Sequence, residues 1–228
     1  MGQTEVQALR GVTMDVRRGE FVAIMGPSGS GKSTLMHLLG CLDRPTTGEY
    51  IIDGTAIAGL SDESLSRLRN RKVGFVFQAF NLIPQLTILE NVEIPLVYMG
   101  LERSKRRELS LEMLQRVKLG HRPDHRPTEL SGGENQRAAI ARAFVTNPDI
   151  ILADEPTGNL DSKTGREIMM ILRDLNHQGK TIILVTHEID KAQWADRIIQ
   201  MQDGRIVREI DGEKKDYLRY IMRDTPPA

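Results

Sequence analysis

The chain has 228 residues, which is enough for one large domain, or for two small lobes, around a sizeable core. Its 31 Lys and Arg residues balance its 31 Asp and Glu residues, so no net charge indicates a nucleic-acid partner or an anionic surface. The single cysteine, Cys41, excludes a disulfide framework and a cysteine metal site, and it is consistent with a reducing compartment.

Apolar runs are short throughout the chain. The clearest lie at residues 21–25, 150–153 and 181–185, far below the ~20 residues that are needed to span a bilayer. The first residues do not form a signal peptide. We therefore expect a cytoplasmic chain whose connection to a membrane is made through a partner.

The first half of the chain predicts strands and helices in alternation. Strands are expected at residues 8–16, 21–25, 49–54 and 73–78, and helices at about 32–40 and 61–70. The first of these strands is predicted from alternating apolar and polar residues, as in an edge strand. A basic cluster in the second helix is interpreted as a solvated face rather than a binding patch; it contains Arg67, Arg69, Arg71 and Lys72.

The second half begins with a segment of different character. Four prolines are expected to break it: Pro84, Pro95, Pro123 and Pro127. Helices are predicted at 101–119, 131–145, near 163–176 and near 214–222, and strands at 150–153, 181–185, 197–201 and 205–209. The alternation predicts an α/β fold with a mainly parallel sheet, helices on both faces and an inserted helical lobe.

One glycine-rich stretch fits the phosphate-loop pattern G-x-x-x-x-G-K-[ST] at every fixed position. It consists of Gly26, Pro27, Ser28, Gly29, Ser30, Gly31, Lys32, Ser33 and Thr34. The glycines let successive backbone N–H groups point at one anion, and the following helix adds the positive end of its dipole. Lys32 would then reach the β- and γ-phosphates of a nucleotide, and the Ser33 hydroxyl would ligate Mg²⁺.

Polar side chains follow three further apolar strands. Asp154 and Glu155 end one, His187 follows another, and Gln78 ends a third. Because the carboxyl ends of parallel strands meet at one edge of a sheet, we expect these side chains to lie beside the phosphate loop. Asp154 is placed to hold Mg²⁺, and Glu155 to orient or deprotonate an attacking water. The position of His187 favours a functional role. Gln78 could reach both Mg²⁺ and the attacking water as a catalytic residue, although for Gln78 alone a structural role is comparably supported.

The ordered set of motifs resembles the nucleotide-binding subunit of an ABC transporter over nearly the whole chain. The resemblance rests on Gly26–Ser33 (Walker A), Gln78 (Q-loop), Leu130–Glu134 (signature), Asp154–Glu155 (Walker B), Gly158–Asp161 (D-loop) and His187 (H-loop). Within that family, residues 40–43, 81–84 and 154–162 look like the macrolide and lipoprotein exporter branch, of which the cell-division ATPase is a near neighbour.

The resemblance implies a fold and its subdivisions. We expect an ABC ATPase fold, in which a P-loop core of about residues 1–80 and 146–228 carries an antiparallel β-subdomain. An α-helical subdomain of about residues 81–145 is expected to be inserted into this core.

The resemblance also implies partners and roles. Two copies would meet head to tail, so that Ser131, Gly132, Gly133 and Glu134 of one copy cap the ATP bound by the other, with Asp161 at the same interface. Glu155 would act as base, Lys32 and His187 would stabilise charge, and Ser33, Gln78 and Asp154 would hold Mg²⁺. An integral membrane permease would keep the chain at the cytoplasmic face of the inner membrane, and no nucleic-acid partner is expected.

Two features depart from the family pattern. Position 134 is Glu where Gln is commoner, which adds a negative charge near the nucleotide and is expected to weaken binding modestly. Family members usually have a first strand and an adenine-stacking aromatic well upstream of Walker A, whereas here only 25 residues precede Gly26 and their only aromatic is Phe21, inside a predicted strand. We therefore expect either a truncated N-terminus or an adenine that is held with little stacking.

Three functions are compatible with these motifs to different degrees. An ATPase that powers export through a membrane subunit is favoured. A regulatory ATPase of the cell-division type, which drives an extracytoplasmic domain without transport, is an alternative that the sequence does not separate from it. A soluble ABC protein of DNA repair or translation is disfavoured, because the chain has one ATPase unit and no sustained heptads.

Overall fold

A computed structural model of the chain describes residues 7–211. In this range the strands are β1 (Phe21–Met25), β2 (Ile51–Ile52), β3 (Thr55–Ala56), β4 (Val73–Phe77), β5 (Ile150–Asp154), β6 (Thr181–Val185), β7 (Arg197–Gln202) and β8 (Arg205–Asp211). One sheet has the order β4-β5-β6-β1-β7-β8, and β2 and β3 form a separate antiparallel hairpin. All neighbours in the sheet are parallel except β7 and β8. The predicted α/β fold with a mainly parallel sheet is confirmed.

The helices surround this sheet. They are α1 (Lys32–Leu39), α2 (Asp62–Lys72), α3 (Ile88–Tyr98), α4 (Arg103–Arg116), α5 (Gly132–Phe144), α6 (Ser162–His177) and α7 (Ile189–Ala192), with a 3₁₀ turn at Pro127–Glu129. The sequence did not predict α7, and the helix predicted near 214–222 lies outside the described residues. Within residues 7–211, no helix combines the length and the apolar character that a membrane crossing requires.

The sheet is buried on both faces, which explains why β1 and β6 are continuous apolar runs. All five residues of each strand are buried. Phe21, Ala23 and Met25 belong to the core cluster on one face, and Ile24 belongs to the cluster on the other. This alternation is the period of two that strand side chains follow. Burial therefore fixes β1 in the centre of the sheet, with the phosphate loop at its carboxyl end.

The strand register brings three strand ends to one edge of the sheet. Phe77 of β4 lies opposite Asp154 of β5, and Asp154 lies opposite Val185 of β6. Since these strands are parallel, the residues that follow them leave the sheet side by side.

The N-terminal segment is not the edge strand that its alternating pattern predicts. Residues 8–16 have no strand structure, although their apolar side chains are half-buried against a core cluster of the sheet. Gly11 has a left-handed φ of 75°, which interrupts an extended chain. The Arg10 N–H donates to the Gly204 carbonyl (2.7 Å), at the turn between β7 and β8. The alternation therefore reports packing on the core and not a hydrogen-bonded ladder.

The prediction that Pro95 breaks the helical segment is wrong. Pro95 lies inside α3. Proline removes one N–H donor and normally kinks or ends a helix. Here Leu89, Val92 and Leu96 are buried on the core side of α3, and the Met99 N–H still donates to the Pro95 carbonyl (3.2 Å). Burial of the apolar face therefore outweighs the loss of one backbone hydrogen bond.

Candidate functional site

The phosphate loop between β1 and α1 is packed too closely to accept side chains at two of its glycines. A Cβ at Gly26 would lie 2.2 Å from the Met201 carbonyl oxygen of β7, and a Cβ at Gly31 would lie 2.7 Å from the Ala8 carbonyl oxygen. Gly31 also has a φ of 97°, which L-residues rarely adopt. The helix α1 begins directly after Gly31 and has no side-chain cap, so its first N–H groups are available to an anion.

An open cavity of about 690 Å³ lies at this edge of the sheet. The predicted site residues in its wall are Ser28, Gly29, Gly31, Lys32, Ser33, Thr34, Gln78, Asp154 and Glu155. The loop residues Gly26, Pro27 and Ser30 are not part of this wall, and Ser30 is buried. None of the described residues in the wall is aromatic. The fold thus brings the phosphate loop together with the ends of β4 and β5.

The Lys32 ammonium donates to two carbonyls of its own loop. It lies 2.7 Å from the Gly26 oxygen and 2.8 Å from the Pro27 oxygen. Burial lowers the pKa of Lys32, and the charges of Glu155 and Asp154 oppose this shift. Lys32 is therefore a donor in the cavity wall that faces two carboxylates and is held by backbone oxygens.

Asp154 and Glu155 are adjacent carboxylates in different surroundings. Burial, with the neighbouring Glu155 charge, raises the pKa of Asp154, while His37 and Lys32 oppose the shift. Glu155 has a φ of 43°, a left-handed conformation that is uncommon outside glycine. Its N–H donates to the Val185 carbonyl of β6 (2.9 Å), so the neighbouring strand fixes this conformation.

Three donors that follow β6 hold the Glu155 carboxylate. The Thr186 hydroxyl donates to Oε2 (3.1 Å), and the His187 N–H donates to Oε1 (3.0 Å). The His187 Nδ1 lies 2.6 Å from Oε1, and it is the protonated nitrogen in this contact because an ionised carboxylate only accepts. His187 contacts the site through Glu155 and is not part of the described cavity wall. The sequence analysis did not identify Thr186 as a site residue. The feature that could have indicated it is its hydroxyl, which lies between the apolar strand and His187.

Gln78 lies in the cavity wall and pairs with the loop that follows β5. Its Nε2 donates to the Asn159 Oδ1 (3.3 Å), and the Asn159 Nδ2 donates to the Gln78 carbonyl (3.1 Å). A Cβ at Gly158 would lie 2.7 Å from the Gln78 Nε2, so the two segments pack closely. These contacts use the amide nitrogen, and the amide oxygen is the atom that can ligate a cation.

The predicted signature residues lie apart from the described cavity wall. Ser131 caps α5, because its Oγ accepts from the Glu134 N–H (3.3 Å). In return, Glu134 Oε2 accepts from the Ser131 N–H (2.9 Å) and from its hydroxyl (2.7 Å). These hydrogen bonds, with the nearby Arg122 guanidinium, lower the pKa of Glu134. The unusual Glu therefore serves as the reciprocal partner of a capping box.

Asp161 also lies apart from the cavity wall and caps α6. Its carboxylate accepts from the Thr164 hydroxyl (2.6 Å) and from the N–H groups of Thr164 and Lys163 (3.0 Å each), which lowers its pKa. A Cβ at Gly133 would lie 2.3 Å from the Thr164 Cγ2, so the first turns of α5 and α6 are in contact. The fold brings the predicted signature and D-loop residues together, but not to the cavity of the same chain.

Comparisons with known proteins agree with this geometry. A family model described as ABC transporter matches residues 9–158. An uncharacterized ABC transporter ATP-binding protein of Thermotoga maritima is 53% identical over 206 residues, which cover 90% of this chain and 88% of that protein. The macrolide export ATP-binding/permease protein MacB of Chlorobaculum tepidum is 53% identical over 215 residues, which cover 94% of this chain and 32% of that protein.

A solved structure is also similar to this chain. The ATP-binding cassette MJ0796 of Methanocaldococcus jannaschii, solved as a dimer in a post-hydrolysis state with ADP and Pi, is 50% identical, with a TM-score of 0.85. The match covers 92% of this chain and 93% of that chain. The likeness therefore extends over nearly the whole length of both chains.

Proposed function

This chain belongs to the ABC transporter family, and on that premise we propose that it powers export through a separate membrane subunit. As a member of the family it is a cassette that binds and hydrolyses ATP. The cavity in which the phosphate loop meets the ends of β4 and β5 supports ATP binding, and the 53% identity to a macrolide export protein is the observation that carries the proposal of export. Similarity to a macrolide exporter favours transport over a regulatory role of the cell-division type.

We assign phosphate binding to the loop and activation of water to Glu155. The Lys32 ammonium would exchange its two loop carbonyls for β- and γ-phosphate oxygens. Glu155, oriented by Thr186 and His187, would accept a proton from the water that attacks the γ-phosphorus. The bond from the γ-phosphorus to the bridging oxygen then breaks, giving ADP and phosphate. The imidazole of His187, which contacts the same carboxylate, would stabilise the negative charge that develops on the γ-phosphate during transfer.

The donor set in the cavity fits Mg²⁺. Ser33, Gln78 and Asp154 lie in one wall and offer hydroxyl, amide and carboxylate oxygens, the hard ligands that Mg²⁺ prefers. Residues 7–211 contain no group of three or more His, Cys, Asp or Glu that could hold a metal ion. Phosphate oxygens and water would therefore complete the coordination. Mg²⁺ bound here would neutralise charge on the phosphates during transfer.

We further propose that the active form is a head-to-tail dimer. Ser131–Glu134 and Asp161 lie together, apart from the cavity of their own chain, so a second copy is needed to bring them to a nucleotide. The similar cassette MJ0796 was solved as a dimer. The division into a core of about residues 1–80 and 146–228 and a helical subdomain of about residues 81–145 is part of this proposal.

The membrane subunit would dock in a groove of about 930 Å³ that lies between α2, β4, α3 and α5. Leu42 and Tyr98 line this groove and are 47% and 81% exposed. Arg71 lines it as well, whereas Arg67 pairs with Glu63 of the same lining, so a segment with apolar side chains and an acidic group beside Arg71 fits the surface. This contact would hold the chain at the cytoplasmic face of the inner membrane. In this proposal Arg71 belongs to a binding surface and not to the solvated face that the sequence predicts.

Reconstitution with a candidate membrane subunit tests the function. The pair should co-purify, hydrolyse ATP only when Mg²⁺ is present, and move a substrate across proteoliposomes. Tyr98→Ser should weaken co-purification, whereas Met170→Ser, at a 44% exposed residue of α6 outside the groove, should not. A pair that forms and hydrolyses ATP, moves nothing, and instead switches on an extracytoplasmic enzyme would support the cell-division alternative.

A further inference from the structure

Gln136 is a fully buried amide on the helix that begins with the signature residues. Its side chain has no exposed surface, and it lies on α5, whose N-cap is Ser131. The Nε2 atom donates to the Phe77 carbonyl (3.2 Å) and to the Pro156 carbonyl (2.6 Å). One side chain thus joins α5, the end of β4 and the turn after β5.

The two carbonyls that Gln136 contacts adjoin two residues of the proposed site. Phe77 directly precedes Gln78, and Pro156 directly follows Glu155. An amide NH₂ group has two hydrogens in fixed directions, so donation to both carbonyls sets their separation. The position of Gln136 therefore determines how the backbone before Gln78 lies relative to the backbone after Glu155.

The contact at Pro156 supports a strained part of the backbone. Glu155 has a φ of 43°, and the Gly158 N–H closes the turn on the Glu155 carbonyl (3.0 Å). A non-glycine residue persists in the left-handed region only when its surroundings impose it. Gln136 holds this turn from the core side, while the residues that follow β6 hold the Glu155 side chain.

The Gln136 amide leaves its own oxygen without a partner in the described part of the chain. The Gln136 Oε1 is buried and has no hydrogen-bond partner among residues 7–211, which is an unfavourable state for an acceptor. Methionine has a similar length and no polar acceptor, and the buried residues of α5 after Arg137 include Ala138, Ala139 and Ile140, so methionine serves as the apolar replacement.

We propose that Gln136 is a positioning residue for ATP hydrolysis, which holds Gln78 and Glu155 in a fixed relation to each other and to the helix that carries Ser131. It acts through the Phe77 and Pro156 carbonyls and does not touch the nucleotide. The proposal rests on the roles assigned above to Gln78 and Glu155.

Asn176 provides a matched control. It is also a buried amide whose nitrogen donates to two backbone carbonyls, those of Gly19 (2.8 Å) and Lys180 (2.9 Å). Gly19 lies just before β1, and Lys180 directly precedes β6. Both carbonyls are therefore at the amino edge of the sheet, away from the cavity. An apolar substitution at Asn176 therefore removes two similar hydrogen bonds, together with the one that its Oδ1 accepts from Arg173 (3.1 Å), at a place away from the proposed site.

The experiment compares Gln136→Met, Gln136→Asn and Asn176→Leu with the unaltered chain. Methionine keeps the length of the side chain without its amide, and asparagine keeps the amide but is one methylene too short to span both carbonyls. Both Gln136 variants should lose about 10- to 100-fold in kcat, as expected for a small misplacement of reacting groups. Their nucleotide affinity should change by less than about threefold, because the phosphate loop is untouched. Asn176→Leu should lose about as much thermal stability as the Gln136 variants but should keep the kcat of the unaltered chain.

A spectroscopic measurement separates positioning from general damage. The backbone amide resonances of Gln78 and Glu155 should shift in both Gln136 variants and remain unchanged in Asn176→Leu. Unaltered kcat in either Gln136 variant, or an equal loss of kcat in Asn176→Leu, would overturn the proposal. Glu155→Gln is measured in parallel. If it keeps its turnover, the assigned base is wrong; if it loses turnover while Gln136→Met does not, only the positioning role fails.

Discussion

The His187 Nδ1 lies 2.6 Å from the Glu155 Oε1, across the ends of two neighbouring parallel strands. Together with the His187 N–H and the Thr186 hydroxyl, this contact engages both oxygens of the carboxylate. The end of β6 therefore sets the direction of Glu155, whose own backbone is held in the left-handed region. A base that is fixed in this way needs little rearrangement when it accepts a proton.

Glu155→Gln is expected to remove most of the ATPase activity and to preserve ATP binding. The amide has nearly the same shape but is not a base, so turnover should fall by about 10²- to 10⁴-fold. Phosphate release measures turnover, calorimetry measures the affinity for ATP, and ATP should hold the variant as a dimer on size-exclusion chromatography. Near-normal hydrolysis would remove Glu155 from the role of base.

Lys32→Ala is expected to lose affinity for ATP and not only rate. Its ammonium lies beside the Gly26 and Pro27 carbonyls of the loop, facing the cavity where a triphosphate would bind. A hydrogen bond to a charged group contributes about 1.5–3 kcal/mol, so affinity should fall roughly 10- to 100-fold. Titration calorimetry measures this change. Lys105→Ala, at an exposed lysine of α4 that pairs with Glu108, is the control and should bind ATP normally.

Ser131→Arg is expected to block hydrolysis while the isolated chain still binds ATP. The bulky cation would prevent two copies from closing over the nucleotide, and Ser131 lies apart from the cavity of its own chain. A mixture of Ser131→Arg and Glu155→Gln chains provides a sharper test. In each mixed dimer with shared sites, one site combines the base of the Ser131→Arg chain with the intact signature of the Glu155→Gln chain, and the other site lacks both. The mixture should therefore regain activity that neither variant has alone, and activity no higher than that of the separate variants would contradict sites shared between two copies.

Glu134→Gln is expected to lower the free energy of unfolding at neutral pH by about 0.5–1 kcal/mol, because the ionised carboxylate caps α5 and faces Arg122. The pKa of Glu134 is lowered in the folded chain, chiefly by its hydrogen bonds to Ser131. The stabilisation is therefore fully present above the unfolded pKa of the carboxyl group and is lost as the pH falls through the folded value.

Denaturant unfolding at several pH values measures this difference. The gap in stability between the unaltered chain and Glu134→Gln should narrow from neutral pH toward about pH 3, as the carboxyl group becomes protonated. A gap that stays constant over this range would show that the charge of Glu134 does not stabilise α5.

The parts of the site that depend on local sequence were predictable. The loop at Gly26–Thr34 follows a buried strand, and Asp154 and Glu155 end another, so the rule for parallel strand ends placed them at one edge. Contacts between distant segments were not predictable. The pairing of Gln136 with the Phe77 and Pro156 carbonyls depends on how α5 packs across the sheet, and a polar residue in a helix does not reveal which carbonyls it will meet.

The wrong predictions have a common physical origin. The rules that predict a strand from the alternation at residues 8–16, and a helix break at Pro95, describe isolated segments. In the folded chain the conformation of both segments is determined by the packing of their apolar side chains on the core. The first lies on a core cluster without joining the sheet, and α3 continues through Pro95 because its apolar face is buried.

The central position of β1 has a consequence for synthesis of the protein. β1 is among the first elements of the chain, yet its two neighbours in the sheet are β6, which begins at Thr181, and β7, which ends at Gln202. A chain growing on the ribosome therefore carries an apolar strand whose two sheet neighbours are made only after β5 and α6. The carbonyl of Met201, against which the phosphate loop is packed, emerges at the same late point. Nascent chains that stop short of β7 should therefore be unable to bind nucleotide, and the exposed β1 would make them substrates for chaperones.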